Sequence, residues 1–237
     1  FKAESVLEKI TSKTRLIILN SPANPTGGIT NANELDILVK GLEKFPNVTI
    51  LSDEIYSRII YDDIQFNSLL KYEQLRDRLI ILDGWSKTYA MTGWRLGWSL
   101  WPEKLIEIAT RLAINTYSCV NAPTQFAGIA ALNGPQDNFD FMLNEFNKRR
   151  NVIHEQLNSI NNFSCIKPKG AFYAFANIKK TGLTSNQVQD LILNEANVAT
   201  VAGTSFGELG EGFIRFSYAA SLDNINKAME RISTIFN

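Results

Sequence analysis

Histidine is all but missing from this chain: His154 is the single one in 237 residues. That excludes a histidine-rich metal centre and leaves a Ser-His-Asp triad without support. His154 itself lies in a polar, helix-patterned stretch that reads as surface. Cysteine is almost as scarce. Cys119 and Cys165 match no metal-ligand spacing and make no disulfide framework, so free thiols in a reducing, cytoplasmic compartment are expected, and no metal site. Neither sign of charge is in excess, with Lys+Arg and Asp+Glu at 24 each. There is thus no bulk field to draw in nucleic acid or a charged membrane surface. Long apolar runs are lacking too: none approaches the roughly 18 residues of a membrane span, and no signal-peptide pattern is present. The chain begins at Phe1 rather than methionine, and a piece of something longer is expected.

What is present is ordinary globular material, 45% hydrophobic and 20% charged, enough for one large or two small domains. Short helical periodicity runs from Ser5 to Ile10. Leu16 to Leu19 is a continuous apolar run of strand length, the kind buried on both faces of a parallel sheet. It ends in Asn20 to Gly28, a loop stiffened by two prolines and two glycines. A helix is expected over 33–45, with Leu35, Leu38, Val39 and Leu42 on one face. A second strand, Val48 to Leu51, follows and ends at Ser52 to Tyr56. Further strands are predicted at 79–82 and 96–100. Strand–helix–strand order with apolar strands predicts an α/β fold with a mainly parallel sheet and flanking helices. In such sheets ligands collect beyond the carboxyl ends of the strands; Asn24, Asp53 and Lys87 all follow predicted strand ends.

Helices are expected from Pro102 to about Asn115, from Thr124 to Leu132, and from Asp137 or Asn138 to about Ser159. Beyond the last, short strands (164–166, 171–176, 198–201, 213–217) alternate with helices over 185–195 and 222–236. This reads as a small α/β domain of its own, giving residues 1–150 as part of a large domain and 151–237 as a small one.

The chemistry gathers on Gly84 to Trp98. Lys87 stands between two apolar strands, on a stretch expected to be an irregular, glycine-punctuated loop crowded with aromatics. Burial and a nearby cation, for which Arg95 is the candidate, both favour the neutral, nucleophilic amine. Such an amine attacks carbonyls and forms Schiff bases. Ser86 and Arg95 are residue types that hold a phosphate, by hydroxyl and by bidentate fork. Schiff-base lysine with phosphate clamp points to pyridoxal 5′-phosphate. Its ring nitrogen needs a carboxylate to keep a proton there, and Asp53 at a strand end is the candidate. Its phenolic oxygen needs donors, for which Asn24 and Tyr56 qualify. Arg215, inside the apolar strand 213–217, needs a partner if buried. A substrate carboxylate bound bidentately and an internal ion pair both remain open.

Four segments, in this order, then carry a resemblance. Asn20 to Gly28 reads NSPANPTGG, Ser52 to Tyr56 reads SDEIY, Ser86 to Gly97 reads SKTYAMTGWRLG, and Gly203 to Ala219 reads GTSFGELGEGFIRFSYA. From about Val6 to its end the chain resembles the C-terminal part of a fold-type I pyridoxal-phosphate-dependent aminotransferase of class I/II. The resemblance implies the following. Lys87 bonds the cofactor and shuttles the proton, and Asp53 pairs with the ring nitrogen. Asn24 and Tyr56 hydrogen-bond the ring oxygen. Ser86 and Arg95 bind the phosphate, Arg215 holds the substrate carboxylate, and Asn24 is also a substrate-binding residue. The implied substrates are an amino acid and a 2-oxo acid, and the implied assembly is a homodimer. The N-terminal part of the usual chain has no counterpart here, so the piece by itself is expected to bind cofactor poorly. No arginine lies between Arg111 and Arg149, so aspartate specificity of one subgroup's kind is not expected. A carbon–sulfur lyase on the same fold, and a cofactor-sensing domain of a transcriptional regulator, are the alternative readings.

Overall fold

The structure is a computed structural model describing Phe1–Asn237. The chain divides into two compact units, one of residues 1–22 and 29–139, the other of residues 23–28 and 140–237. The boundary between these units falls after Phe139, and the loop 23–28 belongs to the second unit.

In the first unit, helix α1 (Ala3–Leu7) precedes strand β1 (Leu16–Asn20), helix α2 (Ala32–Leu42) and strand β2 (Thr49–Asp53). Strand β3 (Leu79–Gly84), the single turn α3 (Trp85–Thr88) and strand β4 (Gly97–Leu100) follow. Helices α4 (Glu103–Tyr117) and α5 (Ala122–Asn133) close it. The sheet order is β1-β2-β3-β4, with β1, β2 and β3 parallel and β4 antiparallel to β3. A parallel pair requires a crossover, and α2 supplies it. Asn31 caps α2 by accepting from the Glu34 amide at 2.9 Å. At the other end Arg78 donates to the carbonyl of Leu42 (2.9 Å), a helix-end acceptor, and to those of Phe45 (2.5 Å) and Val48 (3.2 Å) in the connection to β2. Leu35, Leu38, Val39 and Leu42 are buried against Ile50, Leu75, Leu79 and Ile81.

Two expectations need correction here. The run 16–19 is not buried on both faces: Ile17 and Leu19 pack on the core, whereas Leu16 and Ile18 are exposed, Ile18 to 65%. An apolar run fixes strand character, but burial of each face depends on what packs against it. The opening helix spans 3–7 rather than 5–10. At the sheet's other end, Gly84 and Gly97 face each other in the β3–β4 register. A Cβ on Gly84 would lie 2.7 Å from the Gly97 Cα, so this crossing admits no side chain.

The second unit takes most of the long helix α6 (Asp137–Ser159). Strands β5 (Ser164–Cys165) and β6 (Tyr173–Asn177), helix α7 (Ser185–Ala196), strands β7 (Val201–Ala202) and β8 (Phe213–Ser217), and helix α8 (Leu222–Phe236) follow. Its sheet is antiparallel throughout, in the order β5-β6-β8-β7. A capping box between Thr184 and Gln187 starts α7. The Tyr218 hydroxyl donates to the Ala171 carbonyl at 3.1 Å, and Phe146 stacks on Phe172 at 5.3 Å. The strand predicted at 198–201 begins only at Val201, because α7 continues to Ala196 and ends on Asn197 in the left-handed conformation.

Candidate active site

In the first unit the carboxyl ends of β2 and β3 carry the charged groups. Asp53 is the last residue of β2, opposite Asn20 of β1 and Leu82 of β3. The Asn20 side-chain amide donates to the Asp53 carbonyl at 3.1 Å, which ties the two strand ends together. The carboxylate accepts from the Ile55 amide at 3.2 Å. Burial pushes this carboxyl above the usual aspartate range; the Ile55 bond and the nearby Lys87 charge oppose the rise.

Past Asp53 the chain turns sharply. Glu54, 6% exposed, accepts three hydrogen bonds on one oxygen, from Ser52 Oγ (3.0 Å), Ser68 Oγ (3.0 Å) and the Leu69 amide (3.2 Å). Tyr56 is 4% exposed. The Lys87 ammonium lies 5.9 Å from the centroid of its ring.

Lys87 is half-buried, and it does not sit on an irregular loop as the glycines suggested: it lies in the helical turn α3. That turn is anchored by Trp85, whose indole donates to the Gly128 carbonyl at 3.0 Å. Thr92 then links the residues on either side of it. Its hydroxyl donates to the Ser86 carbonyl at 2.8 Å, and its own carbonyl accepts from Arg95 Nη1 at 2.9 Å. Arg95 has left-handed backbone (φ 56°) and is exposed. It lines a cavity of about 890 Å³ with Gly93, Trp94, Asn121 and Thr124. Lys87 and Asp53 are not among the residues that line this cavity.

Within this unit, then, Asp53, Tyr56 and Lys87 form one group; Ser86 shares the turn α3 with Lys87, and Arg95 lies beyond it. Asp83 was missed from sequence. At the foot of the lysine turn its carboxylate accepts from Ser57 Oγ (3.0 Å) and from the Gly84 amide (2.6 Å). Burial raises its proton affinity, and Asp53 adds to that; the two hydrogen bonds and Arg58 oppose it. The available signal was an acid closing an otherwise apolar strand, a position that costs free energy unless the charge is partnered.

In the second unit, Asn24 and Arg215 meet. Arg215 Nη1 donates to Asn24 Oδ1 at 2.8 Å, and the guanidinium lies 4.6 Å from the Tyr173 ring centroid and 4.9 Å from that of Phe206. Arg215 is half-buried rather than enclosed, because β8 alternates and its neighbours Ile214 and Phe216 take the buried positions. Its Nε is buried with no hydrogen-bond partner, a donor that an incoming anion can use. Asn24 is presented by a loop held through Gly27, whose carbonyl accepts from the amides of Lys169 (2.8 Å) and Gly170 (3.0 Å).

Comparison with known proteins gives consistent matches. A family profile described as aminotransferase class I and II matches residues 1–232. An aspartate aminotransferase of Pyrococcus abyssi is 37% identical over 228 residues, 95% of this chain and 58% of the relative. The aromatic-amino-acid aminotransferase 2 of Thermococcus litoralis is 37% identical over 232 residues, 97% of this chain and 59% of its own length. Among solved structures, an aromatic aminotransferase from Pyrococcus horikoshii superposes with a TM-score of 0.95 at 36% identity, covering 99% of this chain and 63% of that one. The chain thus spans about three-fifths of the length of the relatives it matches.

Proposed function

The chain belongs to the class I and II aminotransferase family, and on that premise we propose that the protein moves an amino group between an amino acid and a 2-oxo acid. The observation that carries the reading is the group made by Asp53, Tyr56 and Lys87, with the amine over the aromatic ring and within electrostatic reach of the carboxylate.

Enzymes of this family work with pyridoxal 5′-phosphate. The donor set of this chain fits that group. It offers a carboxylate with one oxygen held by a backbone amide, a lysine amine beside it, a guanidinium lining a cavity, and a second arginine with an orphaned Nε. When bound, the cofactor supplies an electron sink for negative charge at the substrate α-carbon. Asp53 is assigned to the ring nitrogen, where its negative charge favours the protonated form. Tyr56 and Asn24 are assigned as donors to the ring oxygen, and Ser86 and Arg95 as the phosphate contacts. Lys87 is assigned as the nucleophilic amine and as the base that takes and returns the α-proton. Arg215 is assigned to the substrate α-carboxylate, with Asn24 fixing the plane of its fork.

Residues 1–150 are read as part of the cofactor-binding domain and 151–237 as the small domain. The activity is assigned to the protein with the remainder of the relatives' length; the 237 residues alone are expected to bind cofactor weakly. A homodimer is supported by the apolar surface left open on β4 and α4. A cytoplasmic location is supported by two free thiols, one exposed and one buried.

The test is direct. The cofactor-loaded protein should absorb visible light, and Lys87→Ala should abolish both that absorption and the transfer of amino nitrogen to a 2-oxo acid. A colourless protein, or one whose spectrum ignores the substitution, would refute the reading. Release of sulfide from a sulfur amino acid without transfer to a 2-oxo acid would favour the lyase instead.

A further inference from the structure

Three consecutive residues after β2 reach three points along the lysine segment. Tyr56 lies under Lys87. Ser57 Oγ donates to Asp83 Oδ2 at 3.0 Å, and Asp83 Oδ1 accepts from the Gly84 amide at 2.6 Å, at the entrance to α3. Arg58 Nη1 donates to the Tyr89 hydroxyl at 3.1 Å, just past the exit of α3. Arg58 also donates to Gln136 Oε1 at 3.0 Å and packs over the Phe139 ring at 4.2 Å, which fixes the guanidinium from behind. Gln136 is in turn held by the carbonyls of Ala131 and Gly134.

We propose that Ser57–Asp83 and Arg58–Tyr89 form a two-point clamp that sets the position of Lys87 against Tyr56 and Asp53, with Ser57, Asp83, Arg58 and Tyr89 acting as positioning residues. The proposal rests on the transaminase reading and goes beyond it, since none of these four side chains is assigned to cofactor or substrate.

The physical case is one of stiffness. A single helical turn is marginal by itself, because nucleation fixes several dihedrals for one hydrogen bond. In α3 the Tyr89 amide reaches the Trp85 carbonyl at 3.1 Å. A lysine on so short a helix needs its ends tied down if its amine is to keep one position. Beside the bonds of Trp85 to Gly128 and of Thr92 to Ser86, two ties come from the turn that follows Asp53, so the distance between carboxylate and amine is set largely within one local frame. Asp83 also faces Asp53, Glu54 and Arg58 electrostatically, so charge and position must be told apart by experiment.

The variants do this. Asp83→Ala and Ser57→Ala remove the first tie, and Tyr89→Phe removes the second. Asp83→Asn can keep the first, because its oxygen can accept from Gly84 while its amide donates to the Ser57 hydroxyl, which accepts as readily as it donates. In the cofactor-free protein, amide hydrogen exchange over residues 84–91 should speed up in Ser57→Ala, Asp83→Ala and Tyr89→Phe, and stay near wild type in Asp83→Asn. In the cofactor-loaded protein, the same three variants should lower kcat about tenfold to a hundredfold, the scale expected for small misplacement of a reacting group. KM should change little, and Asp83→Asn should restore most of the rate.

Unchanged exchange and kcat in Ser57→Ala and Tyr89→Phe would overturn the clamp. So would an Asp83→Asn protein as slow as Asp83→Ala, since charge rather than position would then be at work. Ser57 is only half-buried and its truncation leaves the core intact, so a misfolded Asp83→Ala leaves the decision to Ser57→Ala and Tyr89→Phe. A wild-type protein that takes up no cofactor would sink the functional reading instead, and the exchange measurement, which needs no cofactor, distinguishes the two failures.

Discussion

Asp53 and Glu54 are neighbours with opposite environments. Asp53 keeps a half-buried carboxylate with one backbone donor, whereas Glu54 is enclosed and accepts three hydrogen bonds on one oxygen. Burial is the largest influence on both, and both hold protons more tightly than the reference values of 3.8 and 4.5. A carboxyl with a raised folded-state pKa binds more protons folded than unfolded as pH rises past its unfolded value. Its contribution to stability is therefore full below that value and is lost as pH climbs through the folded one. Glu145 and Glu211, lowered by hydrogen bonds to Lys148 and Ser185, act in the opposite sense. The share of Glu54 is isolated by Glu54→Gln, which keeps the accepting oxygen. Its denaturation free energy should fall less steeply than wild type's as pH rises from about 4.5, measured by urea titration at several pH values. Arg215 makes a second prediction at this scale. Arg215→Lys loses the planar fork and much of the stacking on Tyr173 and Phe206. KM for the amino acid should rise about tenfold to a hundredfold, from the loss of about 1.5–3 kcal/mol of charged hydrogen bonding, with a smaller change in kcat.

At the scale of elements, the site depends on how strands and helices end. The loop that presents Asn24 turns through Gly27, whose φ of 66° is left-handed and whose Cβ, were there one, would lie 2.6 Å from Pro168 Cβ and 2.8 Å from the Tyr173 carbonyl oxygen. Gly27→Ala should cost at least about 1–3 kcal/mol through backbone strain alone, with the overlap adding to it. Thermal unfolding measures that cost, and loosened carboxylate binding should accompany it. Helix α8 begins at Ser221, whose hydroxyl accepts from the Asn224 amide at 3.2 Å. Ser221→Ala should cost about 1 kcal/mol, with little effect on KM because its hydroxyl caps the helix and bonds no site residue. Every helix but α3 was legible, since 3.6-residue periodicity and capping residues are local properties. The lysine turn was not legible. Gly84 and Gly93 suggested a loop, but Gly84 is required by its close approach to Gly97, a long-range fact.

At the scale of the whole molecule, the first unit keeps a large apolar surface open. Trp98 and Leu100 on β4, and Ile106, Ile108, Leu112 and Ile114 on α4, are all exposed, Leu112 to 60%. Helix α4 is amphipathic in sequence yet buries none of its residues. Open surface of this extent marks an interaction face. The 237-residue chain should therefore bind a dye that fluoresces on apolar surfaces. Ile108→Lys with Leu112→Lys should lower that binding and raise solubility, while changing stability by no more than about 0.5 kcal/mol per site. Undiminished fluorescence would place the dye elsewhere.

The sequence by itself determined most of the strand–helix order and the family, and it singled out the residues proposed to bear the chemistry, because each is written in local pattern: apolar runs, turn residues, and short motifs in a particular order. Tertiary structure alone decided which side chains meet. Asn24 and Arg215 are hydrogen-bonded across 191 positions. Ser57 finds Asp83 because β2 and β3 pair in parallel with Asp53 beside Leu82. Leu16 and Ile18 stay exposed although their run looks buried. Periodicity specifies which way a side chain points along its own element, but a contact also needs the register and packing of a second element, and those are set by the folded chain as a whole.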